Sequence, residues 1–261
     1  MLGRRVPRDH RVRRPRVRRR PWFRPAEASP TLAGRPSSPG IARRTLAVVL
    51  AAALLGACGV TTDPAEVTPE VFVEQPATGP EVVEVHGQDA VDEAYRELTD
   101  FALAHAFRDD LLDPQDRDFP ADELRSAVPA QFTPDLAETW AVQVARAATG
   151  DPAAQEAVRV MQFHGWGPET WAVPDDGSPV VAERIVEPRV ETAPADPGGR
   201  PQLEITFRHL ATLEFQEDGR PFRIDVDKDM AYWLVPSDED SGPRWLIDAY
   251  DGRYDVSPAD R

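Results

Sequence analysis

The chain has 261 residues, a formal charge of −15 and a single cysteine, so an intramolecular disulfide framework is excluded. The charge is unevenly split. Residues 1–57 hold fourteen arginines against Asp9 and Glu27, a formal +12, which leaves −27 on residues 58–261 to give the whole-chain value. A part that acidic repels phosphate backbones and anionic lipid headgroups, so nucleic acid is not expected as its partner.

Residues 1–42 form a basic, Pro-containing arm expected to be disordered. Its runs such as Arg18-Arg19-Arg20 read either as positive charge held on the cytoplasmic side of an export signal or as sequence upstream of the true start codon. Arg43-Arg44 then precede thirteen uncharged residues, Thr45 to Ala57, and Cys58. A run of about 7–15 apolar residues behind a basic flank is a secretory signal, and it falls short of the roughly 20 needed to span a bilayer. The segment 43–57 is therefore expected to be a signal peptide. Its end, Leu55-Gly56-Ala57-Cys58, resembles the lipobox of bacterial lipoproteins. That resemblance implies cleavage after Ala57, diacylglycerol on the Cys58 sulfur and a position on the outer face of the cytoplasmic membrane. The alternative is an ordinary cleaved signal whose next residue happens to be cysteine. Arg43-Arg44 also resembles a twin-arginine export signal, although Ala42 and Thr45-Leu46-Ala47 depart from that pattern.

Residues 59–87 are rich in Pro, Thr, Val and Glu and lack Lys and Arg. Proline and self-repelling carboxylates favour an extended chain, so an acidic tether is expected here; the alternative is that Val82-Val83-Glu84-Val85 pairs as an edge strand of the domain. Residues 88–255 are expected to form one domain, with 256–261 as a tail. From Asp89 to Arg108, Val91, Tyr95, Leu98, Ala102 and His105 recur at helical spacing. A short helix is expected from Ala121 to Val128. Thr133-Pro134 and Asp151-Pro152 each place a capping residue before a proline, the start signal of a helix. The two helices should run to about Thr149 and Phe163.

Beyond them the period changes from 3.6 to 2. Val180 to Thr192 reads as a strand that Pro188 confines to an edge or a bulge. Leu203 to Phe215 alternates, with Leu203, Ile205, Phe207, His209, Ala211, Leu213 and Phe215 on one face. Glu217-Asp218-Gly219 signals a hairpin. Phe222, Ile224, Val226, Met230, Tyr232 and Leu234 share a face with Lys228 intruding, and Trp245 to Tyr250 closes the series. Helices first and an antiparallel meander last is an α+β order, with N-terminal helices packed on a curved, cone-like sheet. The Leu203–Phe215 and Phe222–Val235 pair, closed by Trp245–Tyr250, resembles the nuclear-transport-factor-2-like (cystatin-like) superfamily. The resemblance implies a conical pocket between the first helix and the sheet. The Arg-rich, Lys-poor composition with this closing strand is similar to actinobacterial envelope proteins.

No catalytic motif emerges. There is no GxSxG elbow and no phosphate-cradling glycine loop, and the one thiol belongs to the anchor reading. Asp225, Asp227 and Asp229 open like a calcium loop but lack its glycine and its closing glutamate. The five histidines are scattered. No metal and no cofactor are expected. Candidate pocket residues are His209 and His105, each on an apolar face, with Tyr232 and Tyr95 on the corresponding faces. The function expected is a non-catalytic, lipid-anchored binding or accessory protein of the cell envelope, taking an envelope protein or a small hydrophobic ligand. The alternatives are a small pocket enzyme with His209 as general base, or a purely structural interaction module whose pocket is filled by its own side chains.

Overall fold

The computed structural model describes residues 68–259 apart from 117, 176, 197 and 239–241. The basic arm, the signal, the lipobox residues Leu55, Gly56 and Ala57, and Cys58 lie outside the described residues. The described chain is an α+β domain. Its helices are α1 (Pro80–His86), α2 (Gln88–His105), α3 (Ala121–Ala127), α4 (Pro134–Ala148) and α5 (Pro152–Met161). Its strands are β1 (Glu70–Val73), β2 (Ala77–Thr78), β3 (Trp171–Ala172), β4 (Val180–Ala193), β5 (Gln202–Glu217), β6 (Arg220–Pro236) and β7 (Trp245–Pro258).

The sheet runs β1-β4-β5-β6-β7, with β2 also on β4 and β3 on β5. The long strands are antiparallel neighbours in chain order, as short connections dictate. Asp218 and Gly219 both adopt positive φ, 51° and 71°, the geometry of a two-residue hairpin turn that matches strand twist. Register shifts interrupt β4 between Val180 and Ala182 and again between Val186 and Arg189. The second lies at Glu187-Pro188, where Glu187 takes φ 54°. Each inserts an extra residue and bends the strand. The helix starts follow the expected chemistry: Thr133 Oγ1 accepts from the Leu136 amide at 3.4 Å, and Asp151 Oδ1 accepts from Ala153 and Ala154 at 3.1 and 3.2 Å.

Two expectations are corrected, the extent of the tether and the end of the last strand. The tether does not extend to residue 87: β1 and β2 pair in parallel with β4, and α1 buries Val82 to 1% exposure. Backbone groups of β4 left open on that side need partners, and the Val-rich segment supplies them. The domain therefore starts near Glu70, and of the two options for β4, an edge or a bulge, the bulge is the one observed. Finally, β7 continues past Tyr250 to Pro258 because it pairs with β6 along that whole length, so little of the expected tail remains.

The inner face of the sheet carries two apolar clusters. The larger joins Val91, Leu98 and Phe101 of α2 and Trp140 of α4 to Leu203, Ile205, Phe207, Met230, Tyr232 and Leu234. The smaller joins Phe107 and Phe163 to Val180, Ala211, Leu213, Phe215, Ile224 and Val226. Leu98, Leu203 and Ile205 are fully buried, so side chains pack the interface that the resemblance would make a hollow cone.

Candidate functional site

Between the two apolar clusters, each of the three long inner strands contributes one polar residue to the same level of the sheet. On β5, His209 follows Phe207 and precedes Ala211 along the buried face, and on β6 Lys228 separates Met230 from Val226. The two face each other directly across the strand pair. Neighbouring β4 turns Glu183 to the same face, two residues from Ile185, which pairs with His209. His209 and Lys228 are each 1% exposed and Glu183 is 6% exposed.

Burial of this kind requires that each polar atom find a partner. His209 Nε2 lies 2.6 Å from Glu183 Oε1. Because a carboxylate can only accept, the imidazole proton sits on Nε2 in this pairing. Lys228 Nζ donates to the Met161 carbonyl at 3.0 Å, at the end of α5, and stands 5.0 Å from the centre of the Phe107 ring. That separation is within cation–π range. Phe107 also meets His209 edge-on, with ring centres 5.2 Å apart. Burial holds the His209 pKa below its usual value, against the opposing pull of the Glu183 hydrogen bond and charge. Burial likewise lowers the Lys228 ammonium from 10.5 to about 7, with Glu183 opposing. The physical cause is withdrawal of the charged forms from water.

The rung reaches solvent at one end. An open cleft of about 690 Å³ lies where the C-terminal end of α2 meets β4, and Leu103, Phe107, Val180 and Glu183 line it. Glu183 thus belongs to both the buried rung and the cleft wall, while His209 and Lys228 stand behind Phe107. No family model, curated protein or solved structure matches the chain.

The four candidate residues do not meet in one pocket. His209 is in the rung. Tyr232 lies farther along β6 against Phe207, with its hydroxyl 4.0 Å from Met161 Sδ, and burial raises its pKa. Tyr95 points to the β1–β2 connection, where its hydroxyl donates to the Glu74 carbonyl at 2.5 Å; burial and then Glu74 push its pKa up to about 12. His105 packs on Phe101 with ring centres 4.9 Å apart. Its Nδ1 is buried without a hydrogen-bond partner, and burial followed by Arg108 lowers its pKa.

Sequence reasoning missed Glu183 and Phe107 and named Lys228 only as an intruder. A lysine on an otherwise apolar strand face was the available signal. Glu183 gave none, because counting by twos from Val180 places it outward until the bulge at Ala182 reverses the phase.

Among the described residues no group of three or more His, Cys, Asp or Glu is placed to hold a metal ion. The carboxylates of the aspartate row on β6 are each engaged. Asp225 accepts from Thr212 Oγ1 at 2.8 Å, Asp227 from Arg208 Nε at 3.3 Å and Asp229 from Arg253 Nη2 at 2.8 Å.

Proposed function

We propose that the protein is a lipid-anchored, extracytoplasmic binding module of the cell envelope, non-catalytic, that takes a small partly hydrophobic ligand in the cleft between the end of α2 and β4. One observation carries the binding reading: Glu183, a nearly buried carboxylate, forms part of the wall of a recess beside the apolar side chains of Leu103, Phe107 and Val180. A concave site with a few fixed polar groups is the usual form of a small-molecule pocket. The anchor reading rests on Leu55-Gly56-Ala57-Cys58 behind the apolar run. The test is native mass spectrometry of the mature domain incubated with extract of the source cells. A discrete added mass that disappears on Glu183→Gln supports the reading, and a clean unliganded mass counts against it.

A second reading, acid–base catalysis, is favoured by the carboxylate–imidazole contact of 2.6 Å, the arrangement by which a carboxylate orients a basic histidine. Against it, His209 is 1% exposed, so a substrate in the cleft would meet Glu183 first. Retention of turnover in His209→Ala would end this reading.

A further inference from the structure

We infer that the cleft selects a cation, a protonated amine carried on an apolar body, and that its binding is coupled to the charge of Lys228. This deepens the binding reading above and rests on it.

The argument is one of charge accounting around the recess. Arg108 is the one cation among the described residues that line it, and it is committed to Asp110, to which it is paired through two nitrogens. Asp109 accepts a hydrogen bond from Ser178 Oγ at 2.6 Å, a neutral donor, and among the described residues that line the cleft no cation is paired with it. Glu183 has Oε1 occupied by His209, so a ligand in the cleft would meet its other oxygen. Two carboxylates therefore face the recess with no lining cation of their own, beside the apolar surfaces of Leu103, Phe107 and Val180. An anion there would meet like charge, and a neutral apolar body would cover the nearly buried Glu183 without bringing it an opposite charge. An ammonium supplies the missing charge in a partly dehydrated site, where such a pairing is stronger than in water.

Lys228 is the internal competitor. It stands directly across the strand pair from His209, whose Nε2 holds Glu183 Oε1, so its ammonium acts on the same carboxylate from the protein side, behind Phe107 and outside the cleft lining. A second positive charge arriving at Glu183 works against the first. A bound amine should therefore promote loss of the Lys228 proton, and removing the Lys228 charge should strengthen amine binding. A merely structural lysine predicts no such gain.

The experiment uses benzylamine, benzyl alcohol and benzoate as probes of one shape and three charges. Binding to the purified protein is followed by calorimetry at pH 7 in two buffers of different ionisation enthalpy. Benzylamine should bind in preference to the other two and release protons to the buffer. Glu183→Gln should weaken benzylamine by about tenfold or more, the size expected for a lost charged hydrogen-bond partner. Lys228→Met, which leaves the lining intact, should tighten it and abolish the proton release. Should Glu183→Gln fail to fold, the Lys228→Met arm alone still decides the sign. Equal binding of benzyl alcohol or benzoate, or weaker benzylamine binding in Lys228→Met, overturns the cation assignment and leaves the cleft as a ligand site. Absence of binding by all three probes also overturns it, while the extract experiment judges the binding reading separately.

Discussion

Lys228 occupies a strand position that its neighbours Val226 and Met230 would lead one to fill with an aliphatic side chain. Its ammonium keeps one hydrogen bond, one aromatic face and one opposing charge in exchange for water. The consequence for stability has a definite sign. Between pH 7 and 10 the unfolded chain holds a proton on this lysine that the folded chain has released, so unfolding is favoured by protons and stability rises with pH across that window. Each unit of such displacement is worth about 1.4 kcal/mol. In Lys228→Met the rise should flatten, as read from urea midpoints at a series of pH values; an undiminished rise would show that other groups produce it. The tyrosines oppose this trend only above pH 10, where Tyr95, raised to about 12, keeps a proton that the unfolded chain loses. On the acid side, burial lowers His164 to about 4, so stability is lost as pH falls from 6.5 toward that value, with His209 acting in the same direction. A different residue-scale constraint acts at Gly167. It takes φ +101°, and a Cβ there would come within 2.7 Å of the Trp171 ring. Gly167→Ala should cost about 1–3 kcal/mol through strain and displacement of that ring, measurable as a lowered denaturation midpoint; an unchanged midpoint would mean that Trp171 yields freely.

At the scale of elements, the segment ahead of α2 behaves as part of the domain. Deleting residues 68–87 would strip β1 and β2 from β4 and expose the Val82 site, whose burial alone is worth about 1.5–3 kcal/mol. The truncated protein should unfold at clearly lower denaturant, and an unaltered midpoint would restore that stretch to the status of a tether. The sequence made several elements plain. The alternation from Leu203 to Phe215, the Asp218-Gly219 turn and the caps at Thr133 and Asp151 are local signals, and each element formed where its signal lies. The parallel pairing of Glu70–Val73 with Ala182–Ile185 was not legible, because partners more than a hundred residues apart leave no mark on either segment. Proline and glutamate content there argued for solvent, whereas the outer side of β4 supplied a place to pair. The far half of β7 was similarly hidden: Asp251, Arg253 and Asp255 follow the expected strand end at Tyr250 without an apolar alternation, but β6 offers them a ladder. The candidate site was half legible. His209 and Lys228 stood out as polar residues on apolar faces, while the bulge that turns Glu183 inward depends on pairing with β5.

Across the whole molecule the charge of residues 58–261, −27, surrounds a core in which a charged layer separates two apolar clusters. That surface charge keeps the domain soluble and attracts cations over distances of about a Debye length, 8–10 Å. The proposed anchor belongs to this scale too. Because two acyl chains hold a protein stably in a bilayer where one is marginal, Cys58→Ala should move the protein from the membrane fraction to the soluble fraction after cell breakage. Persistence in the membrane fraction would mean that something other than Cys58 holds it there.

The early start of the folded domain shortens the distance over which an anchored protein could work. Only residues 59–67 separate Cys58 from Thr68, a reach of about 30 Å even if fully extended. A domain so anchored would explore a thin layer above the bilayer and would encounter its ligands at surface density more than at bulk concentration. Thr68 and Pro69 are also part of the rim of the Glu183 cleft. The mouth of the recess therefore lies beside the start of the described chain, and under the anchor proposed above an amphiphile emerging from the lipid surface would have a short path into it.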